Sequence, residues 1–534
     1  MRRQWNGWGF EDDHTRLGAG GRAYLEARVG AASPVRSVAL AEVVAAVPAS
    51  RLGAHRLLDL DPETRVRHAR GQSLPDLLDL RYGRLAAVPD AVAGPADRAD
   101  LRAIIDHART VGARLIPYGG GTSVVGGVTA RTSGDPLITV DLSRLSGITA
   151  LDGRSGLVTA GAGTAGPALA QALAPHGLTV GHEPQSWELA TVGGWVAARG
   201  SGLRSQGMGR IEQLYAGGTL EAPAGTLDLP PFPASAAGPD LRQLVLGSEG
   251  RLGFLADVVL RASPIGEVDR FDAWAMPGWD EAVEAARSLA RSRPGLSSLR
   301  VSTPAETRAL LAFADRPRQI GALTTYLRLR RRRRDWCLLL AGASGPERTV
   351  KAARGEAGSV LKAHGGIALP VFADAWYRAR FRSPYLRNAL LGAGYGAETL
   401  ETATDWARVP DLLARVEAAI GTALRPRGER VHVFTHLSHL YPSGSSLYLT
   451  YLFRLAATPE ESLDRALAIK RAASDVISGE GATISHHHGV GSEHAPYLAA
   501  EKGPLGMAVL EAVVRTFDPE GLMNPGVLLP DPAA

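Results

Sequence analysis

At 534 residues, with a net charge of +5, 45% hydrophobic and 21% charged residues, the chain has the composition of a globular protein of about three structural units, which excludes disorder as its default state. Cys337 is the only cysteine, which excludes an intrachain disulfide framework and a cysteine-based metal knuckle. The small positive charge admits anionic substrates or lipid surfaces and gives no indication of nucleic acid.

Residues 1–82 mix Gly and Pro breaks with short helical patterns such as 38–47 and are expected to form an N-terminal helical region. The opening MRRQWNGWGF is basic with no apolar core behind it, and no later stretch supplies the roughly 18 apolar residues of a membrane span, so a cytoplasmic location is expected. From 83 to 264 short strands alternate with helices: a helix over 97–111, strands at 114–117, 137–141 and 156–160, and a helix over 166–176. The Pro/Ala/Gly-rich run 229–239 reads as a surface excursion. Residues 265–455 form a second region, with helices at 280–292 and 410–424 and strands at 336–341 and 446–453. In that last strand the period of two puts Tyr448 and Tyr451 on opposite faces, one of them beside a ligand. Residues 456–534 carry a helix over 459–478, a histidine cluster and a closing helix over 506–517. The pattern predicts an α+β fold.

Five motifs carry chemistry. The run PYGGGTSVVGG, Pro117 to Gly127, follows a strand; its glycines let backbone N–H groups approach a phosphate, and Thr122 and Ser123 add hydroxyl donors. It lacks the Lys and the spacing of a nucleoside-triphosphate loop. Gly161, Gly163 and Gly166 match G-x-G-x-x-G with Glu183 about 20 residues on, a dinucleotide signature placed wrongly for one, since it follows another glycine-rich loop in the same region. The stretch 181–202, with His182, Pro184, Thr191, Gly193, Gly194, Ser201 and Gly202, has the density of small residues of a backbone packed on a flat ligand; ordinary turns are the rival reading. His486, His487 and His488 stand in an extended segment, suited to proton transfer or substrate binding, with zinc, completed by His494, or a polar surface cluster as rivals. The arginines of 328–334 read as a solvated face or as a patch for anionic lipid.

Taken in order, these motifs resemble the vanillyl-alcohol-oxidase type of FAD-binding fold and, within it, the alkylglycerone-phosphate synthases. The resemblance runs from the WNGWG of 5–9, through RVRHARG at 65–71, the loop 117–127, GHEP at 181–184, TVGGW at 191–195, Ile211 and Glu212, and GSEGRLG at 247–253, to HHHGVG and Asp518. It implies a two-lobed FAD domain with an α+β cap over the flavin. It implies noncovalent FAD, because Thr122 stands where histidyl-linked relatives carry His, with Pro117, Gly119, Gly120, Gly121, Thr122, Ser123, Gly126, Pro184, Thr191, Gly193, Gly194, Ser201, Gly202, Ile211, Glu249 and Gly250 as cofactor-binding positions. The family exchanges the acyl chain of acyl-dihydroxyacetone phosphate for a fatty alcohol, forming an ether-lipid precursor through a flavin N5 adduct without net redox. Tyr448 matches its proton-transferring tyrosine, Arg387 its phosphate-binding arginine with Arg300 as a second substrate contact, and His182, His486, His487 and His488 its active-site histidines. No metal is implied. A lipid substrate, peripheral contact with anionic membrane and a homodimer are the expected partners. The chain departs from the family at Gln185 and at Ser492–Pro496, where acidic and basic residues are usual. Asn524-Pro525-Gly526 is shared with FAD-linked 2-hydroxy-acid dehydrogenases, which makes a D-2-hydroxy-acid oxidoreductase the alternative and a flavin-bound, non-catalytic membrane-surface protein a second.

Overall fold

The glycine-rich loop is placed by the strand before it. In the computed structural model, which describes residues 2–132, 134–330 and 335–530, Arg114–Tyr118 pairs in parallel with Leu137–Asp141, and this with Ala91–Ala93, whose far side carries antiparallel Leu58–Asp59. The outer edge of Arg114–Tyr118 is covered by the C-terminal tail: Leu115 N–H donates to the Leu522 carbonyl and Asn524 N–H to the Leu115 carbonyl. Helix Arg98–Val111 packs on this sheet through Leu101, Ile104, Ile105 and Ala108, the spacing of one apolar helix face. Its start is fixed by the Asp97 carboxylate accepting the Asp100 N–H at 2.8 Å, a cap worth about 1 kcal/mol. Gly112, in the left-handed region, ends it.

The second lobe is an antiparallel sheet in the order Ile148–Asp152, Leu157–Gly161, Phe254–Arg261, Tyr215–Ala222, Gly225–Leu229. This order settles the G-x-G-x-x-G run. Leu157–Gly161 has only antiparallel neighbours, and Cβ atoms at Gly161, Gly163 and Gly166 would collide with Leu145, Leu142 and Trp187, so these glycines serve close packing and not a dinucleotide.

The cap is a seven-stranded antiparallel sheet in the order Ile367–Ala368, Val268–Met276, Cys337–Gly345, Ser298–Ser302, Val431–Leu440, Gly444–Arg454, Tyr395–Asp405. Alternation along Gly444–Arg454 divides its faces. Leu447, Leu449, Tyr451 and Phe453 enter a core with helices Trp279–Ser292, Glu347–Ala363, Val409–Thr422 and Pro459–Gly479, while Tyr448, Thr450 and Leu452 face the opposite way. Packing crosses the expected boundaries at 82/83 and 455/456: Leu74, Leu77 and Leu78, together with Ala466, Ile469, Ala473 and Ile477, belong to this core.

Three sequence expectations need correction. The helix expected over 38–47 forms only at Leu40–Ala45. The closing helix expected over 506–517 forms, but an unexpected helical stretch from Leu498 precedes it across a break at Gly503 (φ 67°, ψ 171°), where Pro504 removes a donor and disfavours helical backbone before it. The excursion at 229–239 begins one residue late, since Leu229 is the buried end of a strand and exposure starts beyond it. Arg328 and Arg330 are exposed, and Arg331–Arg334 lie outside the described residues.

Candidate functional site

One cavity of about 1440 Å³ lies between the glycine-rich loop and the cap. Gly121 has φ 64°, and a Cβ on Gly119 or Gly120 would collide with Thr191 Oγ1 or the Leu189 carbonyl, so only glycine lets this loop lie against 189–191. Pro117, Gly119, Gly120, Gly121, Thr122 and Ser123 line the cavity, as do Pro184, Thr191, Gly193, Gly194, Ser201, Glu249 and Gly250. Gly126, Gly202 and Ile211 stand behind the wall: Gly126 faces Ser492, Gly202 packs on the Glu183 backbone, and Ile211 is fully buried in the second-lobe core.

His182 lines the same space, and neither of its ring nitrogens has a protein partner among the described residues. Burial pulls it down to about 3, so it is neutral. A buried, unpartnered imidazole beside a glycine cradle fits a polar, planar cofactor. Its ring lies 4.8 Å from Trp195, which is followed by Trp187 at 5.9 Å and Phe381 at 6.5 Å. That column reaches the turn after helix Pro370–Ala379, which Arg204 ties to the second lobe through Glu183 (2.8 Å), Asp269 (2.7 and 2.9 Å) and Tyr377 Oη (2.7 Å).

Two carboxylates shape the histidine segment. Glu401, fully buried on strand Tyr395–Asp405, accepts the N–H groups of His486 (3.1 Å), His487 (2.5 Å) and His488 (2.6 Å) on Oε1, and its Oε2 pairs with His487 Nδ1. Glu249, from the GSEG loop, accepts the N–H groups of Val490 (2.6 Å) and Gly491 (2.8 Å). Burial opposes ionisation of Glu401, but His487 and His488 outweigh it and hold the carboxyl well below the usual range. Glu249 has no such neighbour, and burial pushes it up to about 7. His487 and His488 line the cavity; His486 stands behind them, its Nε2 accepting from Tyr441 Oη (2.6 Å) and Arg210 (3.2 Å). Burial lowers His486 to about 4 and His488 to about 3. Glu401, His486 and His487 have the proximity of metal ligands. Yet Glu401 Oε1 is taken by three N–H groups, and His486 Nδ1 and His487 Nδ1 are hydrogen-bonded to each other at 3.0 Å, so the trio is a hydrogen-bonded cluster. His494 is buried with neither ring nitrogen partnered among the described residues, and burial lowers it to about 3.

Tyr448 faces the cavity from the cap sheet, and burial raises its phenol to about 12. Under it lies His436, whose Nδ1 is 2.9 Å from Glu306 Oε1; Arg300 donates to the same oxygen at 2.7 Å. Burial opposes ionisation of Glu306, but His436 and Arg300 hold it at about 2. Arg387 donates to Glu398 (3.1 Å), the Ala397 carbonyl (2.9 Å) and the Gln72 carbonyl (2.6 Å), which engages three of its five donors.

Sequence reasoning missed Glu401, Glu306, His436 and His439. His439 lines the cavity at φ 50°, in a register shift of its strand, with Nδ1 2.7 Å from Ser205 Oγ and 3.1 Å from Ser201 Oγ. The strand pattern V-H-V-F-T-H-L-S-H-L does alternate His432, Phe434 and His436 onto one face, the one signal available. Nothing local marks Glu401, whose partners are 85 residues away.

Beyond Tyr448 the cavity continues as an apolar channel under helices Pro304–Phe313, Pro317–Leu329 and Pro370–Ala379, walled by Leu310, Phe313, Leu323, Phe372, Trp376 and Leu452. No helix among the described residues is long and apolar enough to cross a membrane.

Comparison with known proteins agrees with this geometry. Residues 89–227 match the family described as FAD binding domain, and 266–528 that described as FAD linked oxidases, C-terminal domain. The chain is similar to the alkyldihydroxyacetonephosphate synthase of Trypanosoma brucei brucei, 28% identical over 89% of this chain and 78% of the relative. That of Caenorhabditis elegans is 28% identical over 97% and 94%. A glycolate oxidase subunit of Bacillus subtilis (strain 168) is 23% identical over 82% and 89%. A solved alkyldihydroxyacetonephosphate synthase structure superposes with a TM-score of 0.84 at 22% identity, covering 98% of each chain.

Proposed function

We propose that this chain, an FAD-dependent enzyme belonging to the FAD-linked oxidases of the vanillyl-alcohol-oxidase fold, exchanges the acyl chain of acyl-dihydroxyacetone phosphate for a fatty alcohol. The observation that carries this reading is the continuity of the cofactor cleft with the apolar channel. Their joint volume of about 1440 Å³ exceeds the roughly 300–1,000 Å³ of an ordinary small-molecule pocket, which leaves room for a long chain beside a cofactor.

Gly119–Ser123 and Gly193–Gly194 would hold FAD, which when bound would supply an isoalloxazine able to take part in the exchange at the substrate carbon. The protein's own groups divide the remaining work. Tyr448, protonated at neutral pH, donates a proton or hydrogen bond, while neutral His182 and His488 offer lone pairs. Arg300 and Arg387 take the phosphate, and Arg300 has the freer guanidinium: its Nε has no partner among the described residues, whereas Arg387 is braced on three sides. The fatty acid leaves and the alcohol oxygen takes its place, so no electron acceptor is consumed.

A D-2-hydroxy-acid oxidoreductase is the rival. Such a substrate needs no apolar channel, but relatives with that activity share the fold. Anaerobic mixing with D-lactate and glycolate tests the choice. The synthase reading predicts an unbleached flavin band; rapid bleaching overturns it.

A further inference from the structure

We propose that His439 is a substrate-contacting residue whose Nε2 hydrogen-bonds an oxygen of the substrate head beside His487 and Tyr448, and that Ser205 is the positioning residue that aims it. The identity of the substrate rests on the transferase reading; the placement of the ring does not.

Along strand Val431–Leu440 the period of two sends Phe434, His436 and Ser438 to the cavity and Leu437 to the core. Residue 439 should therefore join Leu437. It does not, because Ser438 pairs with Ser446 and Leu440 with the adjacent Ser445, which leaves His439 as the extra, unpaired residue of a β-bulge. Leu440 takes the core position instead, and His439 becomes a second consecutive residue on the cavity wall. It is held there at φ 50°, a conformation uncommon for a residue with a Cβ, and backbone strain of this kind gathers at ligand sites. Both hydrogen bonds of its ring among the described residues are made at Nδ1, with Ser205 Oγ (2.7 Å) and Ser201 Oγ (3.1 Å), so the edge that carries Nε2 is left to a ligand. Burial, with His487 and His486 beside it, holds the ring well below its ordinary value and therefore neutral. A neutral ring nitrogen either donates or accepts, which matches a hydroxyl or carbonyl oxygen. The ring lies 5.0 Å from that of His487, which in turn is 6.0 Å from that of Tyr448. Beyond Tyr448 the wall is apolar, so the part of the substrate that meets His439 is its oxygenated head and not its chain.

The direct test follows the imidazole ¹⁵N signals of histidine-labelled, FAD-loaded protein as dihydroxyacetone phosphate is added, with His439 assigned by its loss in His439→Gly. Glycine accepts the left-handed backbone, so this variant removes the ring and keeps the bulge. If it does not fold, His439→Asn, which also tolerates that conformation, takes its place throughout. The expected result is a His439 shift that saturates with the ligand; an unmoved His439 overturns the proposal. In turnover, His439→Gly should raise KM about tenfold with FAD content held, and added imidazole should restore part of the loss. Ser205→Ala should raise KM less, and not at all in the His439→Gly background, because it acts only through the ring. A Ser205→Ala effect of equal size in both backgrounds contradicts the positioning role. The spectrum needs no turnover, so a His439 that shifts in an enzyme forming no ether would refute the transferase reading and leave His439 assigned. Ether formation with an unchanged KM in His439→Gly would do the reverse.

Discussion

His436 lies face to face under Tyr448, 4.7 Å between ring centroids and 21° between planes. Its Nδ1 is held 2.9 Å from buried Glu306, so the imidazole forms a fixed floor for the phenol. If Tyr448 moves a proton at the substrate carbon, Tyr448→Phe should lower kcat by about 10²-fold or more. The stack survives in that variant, so FAD content should be unchanged. Paired measurement of kcat and flavin occupancy decides; near-normal kcat would remove Tyr448 from the chemistry.

The two arginines should separate by their partners. Arg300→Lys loses the guanidinium of a cavity-lining residue whose Nε has no partner among the described residues and should raise KM about tenfold or more with a smaller change in kcat. Arg387→Lys should raise KM less and lower the melting temperature more, because its fork also joins Glu398, Ala397 and Gln72 across the cap. Equal KM effects with unchanged stability would reverse this assignment.

FAD should be released intact on acid denaturation. The cradle residue at the family's histidyl position is Thr122, which offers no nucleophilic imidazole. Flavin colour retained by the precipitated chain would contradict this.

Acid should weaken the fold in a window set by the buried histidines. His182, His486 and His488 stand at about 3 to 4 in the folded state against about 6.5 unfolded. Below pH 6.5 the unfolded chain therefore binds protons that the folded chain refuses, and stability falls as pH drops toward 4. Glu249, raised to about 7, has the opposite sign: its contribution is fully present below about 4.5 and is lost as pH rises through 7. Melting temperatures from pH 7.5 to 4.5 should fall with acid, and more steeply in Glu249→Gln. A flat profile in Glu249→Gln would contradict the histidine sign, and equal slopes in the two proteins would contradict the Glu249 sign.

Much of this was legible in the chain because it is local. The strand before Pro117, the helix after Asp97 and the opposed Tyr448 and Tyr451 follow from periods of two and 3.6 and from turn chemistry. The G-x-G-x-x-G run shows the limit of that method, since the same glycines that admit a phosphate also admit a neighbouring carbonyl, and only the antiparallel partners of Leu157–Gly161 distinguish the two. Glu401, Glu306 and His439 were illegible for a related reason. Their roles are set by partners distant in sequence, residues 486–488 for Glu401, His436 for Glu306 and Ser205 for His439, and a lone Glu on a strand carries no mark of the N–H groups it will meet.

The central claim is that the cofactor cleft and the apolar channel act as one transferase chamber. Incubation of the FAD-loaded protein with acyl-dihydroxyacetone phosphate and labelled hexadecanol, without any added electron acceptor, tests it most directly. The account predicts a labelled alkyl ether of dihydroxyacetone phosphate with one fatty acid released per ether formed; fatty acid release without labelled ether, or no turnover until an electron acceptor is supplied, would contradict it.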